Sequence, residues 1–393
     1  MKVYLNDLAM INALGSDLAT IRERLFAGAG DGMVREAGWL VGGGEALVGR
    51  VQATLPDIPP ALARYASRNN RLLLAALAPL RPALDAMIAR YGKPRIAIVL
   101  GTSTSGIEET EKAVAAEAQG RPRPASYHYA QQEMGSPAEF LARYLDLPGI
   151  AYVVSTACTS SAKALVAAQR LLAQGLCDAV IAGGVDSLCR LTLNGFAALE
   201  SVSPERCNPM SANRRGINIG EAAALFLLSR DAGPVVLLGC GESSDAWHMS
   251  APHPEGVGAE AAMRQALAQA GVAPEQVGYV NLHGTATPKN DEMESLAMQR
   301  VFPQGVPASS TKPLVGHTLG AAGATEAGFA WLTLTDPGRR LPPHRWDGVA
   351  DPALPPLALV RPGDTLDPAR PFLMSNSYAF GGSNVSLLLG AET

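Results

Sequence analysis

Three residues have the types and settings for thioester chemistry: Cys158, His283 and His317. Cys158 sits in Val153-Val154-Ser155-Thr156-Ala157-Cys158-Thr159-Ser160-Ser161-Ala162-Lys163. That pattern predicts a buried strand, a turn at the cysteine and a helix beginning at once. A helix N-terminus offers partial positive charge and free N–H groups, which favour thiolate and can hold a thioester oxyanion. His283 lies in Asn281-Leu282-His283-Gly284-Thr285-Ala286-Thr287-Pro288, at the end of another apolar run. His317, in Ser309-Ser310-Thr311-Lys312-Pro313-Leu314-Val315-Gly316-His317-Thr318-Leu319-Gly320, precedes a helix of very small residues. The chain has 6 histidines, and two of them occupy loops of the kind where catalytic groups collect. Taken singly, each residue is more readily a structural one, since free cysteine is usually buried packing. As a set they describe a sulfur nucleophile with two imidazoles.

The elements that must position them alternate. Apolar runs at 96–100, 151–154, 179–182, 224–228, 235–238, 279–282, 372–374 and 385–389 predict strands, and their unbroken apolar character implies cover on both faces. Helical patterns occupy 160–173, 259–270, 291–300 and 320–334. This is an α/β layered protein. The helix from 320 carries so little bulk that its neighbours can approach its backbone, which places it in the middle of the molecule. The proline-rich stretch 341–367 reads as a surface excursion. A strand, a reactive residue and a helix follow one another at Cys158 and again at His283. Two halves of similar plan are expected, 1–234 with the cysteine and 235–393 with the histidines.

Composition narrows the function classes. The 393 residues exceed the usual limit of one simple core, roughly 250–300 residues. With 47% hydrophobic and 17% charged residues, the chain packs as a globule rather than staying disordered. A formal charge of −4 gives no general attraction to nucleic acid or anionic membrane. Five cysteines without a CxxC pair imply reduced thiols and a cytoplasmic location. No stretch approaches the ~18 apolar residues of a membrane span. His248 and His253 lack an evident third ligand, so no metal site is expected.

The motifs TACTSS, NLHGTATP, SSTKPLVGHTLGAAGATE and NSYAFGGSN, in this order, resemble the elongating β-ketoacyl-[acyl-carrier-protein] synthases. The resemblance runs from about Ile96 to the C-terminus. It implies a thiolase fold: two pseudo-repeated α/β halves in five αβαβα layers. It also implies a decarboxylative Claisen condensation of an acyl thioester with malonyl-acyl-carrier protein. Cys158 would carry the acyl chain, and His283 and His317 would stabilise the enolate. Lys312 and Glu326 would form a supporting charge pair. Phe380 would gate the pocket and complete an oxyanion hole with the Cys158 N–H. Thr285 and Thr287 would bind the pantetheine arm, and Ile107 would line the acyl tunnel. No cofactor is implied, since phosphopantetheine arrives on the carrier protein. A homodimer is expected, with a chain-length-factor-like subunit as the alternative partner.

Departures point to a specialised branch such as aryl-polyene biosynthesis. Met210 and Arg215 stand where the resemblance leads to phenylalanine and aspartate, and Leu282 precedes the first histidine. Thiolases need a second cysteine in the C-terminal glycine loop, where this chain has Tyr378-Ala379-Phe380-Gly381-Gly382. Initiating synthases have asparagine in place of His317. Inactive chain-length partners lack the nucleophile. Arg64, Arg68 and Arg71 share a helix-neighbour spacing and are either a solvated face or a dock for an acidic carrier.

Overall fold

The computed structural model describes residues 2–392. Its main sheet has eleven strands and is built as two groups with one plan. In the first, Ala151–Val154, Ile96–Gly101 and Ala179–Asp186 run parallel, and Ala222–Ser229 and Tyr4–Ile11 follow antiparallel. In the second, Pro307–Ser309, Val277–Asn281 and Phe372–Tyr378 run parallel, and Ser383–Ala391 and Val235–Ser244 follow antiparallel. The groups meet where Tyr4 and Leu5 pair with Val236 and Val235. Ala358–Leu359, inside the proline-rich excursion, adds a short edge.

Strands buried on both faces account for the continuous apolar runs. Every residue of Ala179–Asp186 and Ala222–Ser229 is buried. Helices Ser160–Ala173 and Ala322–Leu334 pack on each other and each touches strands of both groups, so they form the middle layer. Arg68–Tyr91 covers the first group from outside, and Val257–Ala270 with Pro288–Val301 covers the second. The order is αβαβα, as expected. At the centre, a Cβ on Gly323 would lie 2.6 Å from that of Ala162, so the helices close to a distance only glycine permits.

The repeat corrects one pairing from the sequence. The strand before Cys158 corresponds to Pro307–Ser309, and the helix after Cys158 corresponds to Ala322–Leu334. The structural counterpart of Cys158 is therefore His317, not His283. His283 follows Val277–Asn281, the counterpart of Ile96–Gly101. The helix Arg68–Tyr91 was also not anticipated. It contains Pro79 and Pro82, and its Ser67 cap accepts from the Asn70 N–H. It is long and apolar enough by composition to cross a membrane, but Leu72, Leu73, Leu77, Leu80 and Leu84 are buried in the core.

Candidate active site

The turn at Cys158 is shaped by Ala157, a non-glycine residue at φ +52°. The conformation costs about 1–2 kcal/mol and is held by local bonds. Ser160 Oγ donates to the Ala157 carbonyl at 2.6 Å and accepts from the Thr156 N–H at 2.9 Å. Thr159 Oγ1 reaches Ser383 Oγ at 3.1 Å, tying the turn to the C-terminal glycine loop. The backbone N–H groups of Cys158 and Phe380 both face the sulfur. An oxyanion hole of the kind the motifs imply would use these two groups.

The two imidazoles converge on the same sulfur. His317 Nε2 lies 3.0 Å from Cys158 Sγ. The His283 and His317 rings meet edge to face with centroids 5.4 Å apart. Lys312 Nζ sits 2.6 Å from Glu326 Oε1, and both side chains are almost wholly buried. Lys312 also donates to the His283 carbonyl and lies 3.4 Å from His283 Nδ1. An ammonium has no lone pair, so Nδ1 must accept and the proton sits on Nε2. Lys312 thereby fixes His283 as an N–H donor.

Burial sets the protonation states. It pushes the Cys158 thiol up to about 12, against the lowering effect of Lys312 and the two N–H groups. Burial and the Lys312 charge hold His283 and His317 well below the ordinary imidazole value. The helix-start argument favoured thiolate; desolvation outweighs it, and the resting pair is a thiol beside a neutral imidazole. Sγ and one nitrogen of each ring lie within 4.8 Å of one another, close enough to ligate a metal. The Lys312 ammonium against His283 opposes a divalent cation there.

Two buried carboxylates hold the His283 loop, and neither was picked out from sequence. Glu294 accepts from the N–H groups of His283 and Gly284, each at 2.7 Å. Asp291 accepts from the Met210 and Ala286 N–H groups. Burial raises them to about 7 and about 6. The signal was present: two acids three apart in Pro288-Lys289-Asn290-Asp291-Glu292-Met293-Glu294 fall on one helix face behind the histidine motif.

His344 clamps the neighbouring loop. Its Nδ1 accepts from the Ser310 N–H at 3.1 Å, and its Nε2 donates to the Pro209 carbonyl at 3.0 Å. Burial lowers it to about 4. The unfolded chain, with an ordinary histidine near 6.5, binds more protons between these values, so stability falls as pH drops through this window. The His344 contribution, present in full above pH 6.5, amounts to about 3 kcal/mol once lost at pH 4. Urea unfolding of wild type and His344→Asn at pH 7.5 and pH 5 checks this. The variant should lose about 2 kcal/mol less than wild type on acidification.

A cavity of about 320 Å³ opens onto Cys158, His283 and His317 and runs past Thr285, Thr287 and Phe380. Thr285 Oγ1 and Thr287 Oγ1 are 2.9 Å apart on its wall. Two aromatic residues of the wall were missed. Phe196 packs at a tilt against Phe380 with centroids 5.3 Å apart, and Tyr378 meets His283 edge-on at 5.8 Å. Ile107 starts the helix Ile107–Ala118, half-buried, and is not part of this wall.

The three arginines do not form a common solvated face. Arg68 grips the fully buried Glu221 through two contacts of 2.5 and 2.8 Å. Arg71 donates to the Leu55 and Pro56 carbonyls and pairs with Asp57. Arg64 lies exposed over the Tyr65 ring. Arg68 is thus a fixed structural cation rather than a free docking group.

Comparison with known proteins agrees with this geometry. Residues 41–232 match the beta-ketoacyl synthase N-terminal domain family, and residues 235–344 match its C-terminal domain family. The 3-oxoacyl-[acyl-carrier-protein] synthase 2 of Coxiella burnetii is 33% identical over 75% of each chain. The ketosynthase ApeO from Xenorhabdus doucetiae, solved in complex with its chain length factor ApeC, is 49% identical. Its TM-score is 0.96, over 100% of this chain and 98% of that one. A beta-ketoacyl synthase from Burkholderia phymatum STM815 is 29% identical, with a TM-score of 0.85 over the whole of both chains. A cysteine and two histidines assembled from both halves of such a fold leave one assignment: the chain belongs to the β-ketoacyl synthases, the carbon–carbon bond-forming acyltransferases.

Proposed function

We propose that Cys158, His283 and His317 carry out a ping-pong condensation of an acyl chain with malonyl-acyl-carrier protein. The observation that carries this is the meeting of one sulfur and two imidazole nitrogens within 4.8 Å, beneath two inward N–H groups. Cys158 attacks the acyl thioester as its proton passes to His317 Nε2, the acceptor within reach. The N–H groups of Cys158 and Phe380 hold the oxyanion, and the departing pantetheine thiolate takes the proton back. Malonyl-carrier then enters past Thr285 and Thr287. As carbon dioxide leaves, negative charge gathers on the thioester oxygen, where the His283 N–H stabilises it; His317 joins as a second donor by moving its ring proton from Nδ1, which has no partner among the described residues, to the Nε2 left bare by the departed thiol proton. The enolate carbon attacks the acyl-Cys158 carbonyl and expels the sulfur.

This division of labour separates two measurements. His283→Ala should slow decarboxylation of malonyl-carrier by about 10²–10³-fold, the usual cost of one oxyanion donor. Acylation of Cys158, followed by intact-protein mass spectrometry, should persist in the same variant. Equal loss of both steps would sink the role given to His283.

We infer further that the chain divides at 234/235 into two half-repeats and serves an aryl-polyene-type branch. The likeness to ApeO supports a chain-length-factor partner ahead of a second copy. The edge strand Ala151–Val154, only partly covered, supports such pairing. Arg64, which makes no ion pair among the described residues, is the arginine left for an acidic carrier. Ile107 is proposed to line the acyl tunnel once the partner closes that side. Co-expression with a chain-length-factor subunit and light scattering would distinguish the hetero-pair from the homodimer.

A further inference from the structure

We propose that Asp186 is a positioning residue for the condensation, fixing the loop of the Cys158 sulfur and the loop of the His317 imidazole at their working separation. The proposal rests on Cys158 and His317 acting as nucleophile and proton acceptor.

Asp186 ends the strand Ala179–Asp186 and is fully buried. Its carboxylate is met by hydroxyl and amide donors. Oδ1 accepts from Thr102 Oγ1 at 2.6 Å, Thr104 Oγ1 at 2.8 Å and the Thr104 N–H at 2.9 Å. The Ser103 N–H straddles both oxygens at 2.9 and 3.0 Å. Oδ2 accepts from the Gly320 N–H at 2.6 Å. One carboxylate thus joins two segments far apart in sequence.

Each segment leads directly to a reacting group. Ser103 Oγ donates at 3.1 Å to the carbonyl of Ala157, the residue before Cys158. Gly320 follows Leu319, which adopts φ +53° on the turn that carries His317. A Cβ on Gly320 would lie 2.7 Å from Asp186 Oδ2, Ser103 N and Ser103 Oγ, so the glycine lets the turn seat directly on the carboxylate. Ala157 and Leu319, the strained residues of the two loops, are both braced through Asp186. Only an ionised carboxylate offers two oxygens that accept and never donate; an asparagine would turn an NH₂ toward one of these donors. An apolar or amide replacement frees the two loops to drift apart, and a 1 Å misplacement can cost about 10²-fold in rate.

The test uses the full-length enzyme with its partner subunit if one is required. Asp186→Asn should lower kcat for condensation by about 10²-fold with KM for acyl-carrier within about twofold. Iodoacetamide labelling of Cys158 at pH 7, read by mass spectrometry, should slow by about tenfold or more, since the sulfur loses its aligned acceptor. Ser103→Ala, which removes only the strut to Ala157, should slow labelling with little change in Tm. Thr102→Ser should restore the wild-type rates that Thr102→Val loses. If Asp186→Asn does not fold, Ser103→Ala and the Thr102 pair decide the matter. Wild-type labelling and kcat in Ser103→Ala and Thr102→Val would overturn the proposal and leave Asp186 a plain brace. Absence of an acyl adduct on Cys158 in wild type would instead remove the nucleophile assignment beneath it.

Discussion

Cys158→Ala is expected to abolish the acyl-enzyme and to reduce condensation by about 10⁴–10⁶-fold, the scale seen when a covalent nucleophile is deleted. The reason is geometric. Among the five cysteines, Cys158 alone lies with His317 at 3.0 Å and lines the cavity. Cys177, Cys189 and Cys207 are buried elsewhere, and Cys240 lies on the strand Val235–Ser244. None can replace it. Incubation with acyl-carrier protein followed by intact-mass measurement should show one adduct in wild type and none in the variant. An adduct that persists in Cys158→Ala would assign the chemistry to another residue. Cys158→Gln separates the half-reactions further. It keeps both histidine donors, so it should still decarboxylate malonyl-carrier while forming no new carbon–carbon bond.

Lys312→Met should be the most damaging change that leaves the sulfur in place. The ammonium does three things: it neutralises Glu326, donates to the His283 carbonyl and fixes the His283 tautomer. Removing one partner of a buried pair costs about 3–5 kcal/mol, because the other charge is left unpaired. Glu326, whose carboxyl burial already raises, relieves part of this by taking up a proton. Activity has no such relief, because His283 Nδ1 loses its donor and the ring can take either tautomer. Lys312→Met/Glu326→Gln therefore separates the two effects. Chemical denaturation should show stability substantially recovered, while malonyl-carrier decarboxylation stays at the level of the single variant. Recovery of both together would mean that Lys312 acts only on the fold.

The sequence made the groups proposed to react easier to read than their support. Cys158, His283, His317, Lys312, Glu326 and Phe380 all stand in long motifs whose local pattern fixes strand, turn and helix. The helix Ser160–Ala173 and the strand Ala151–Val154 match their expected limits because apolar runs and turns mark them sharply. The small-faced helix is central, as its lack of bulk implied. Less legible were long-range partners. Nothing local distinguishes Asp186 or Glu221 from a surface carboxylate, since what marks them is a buried position reached only in the folded chain. Arg68 shows the same gap from the basic side. Its spacing with Arg64 and Arg71 resembles a solvated face, yet Glu221, 153 residues away, captures it. The Cys158–His283 correspondence failed because both strand–loop–helix units look alike in isolation. Only strand order reveals that Pro307–Ser309, a mere three residues, occupies the equivalent place.

The contact between Gly323 and Ala162 sets a limit on how this chemistry can change. Cys158 and His317 sit in the loops that lead into two helices whose axes are kept apart by little more than hydrogen and methyl. Their spacing is thus an interior dimension, insulated from whatever the surface loops do. Acyl preference and carrier choice can drift by remodelling the cavity mouth, while the bond-making distance stays locked by the absence of a single carbon atom.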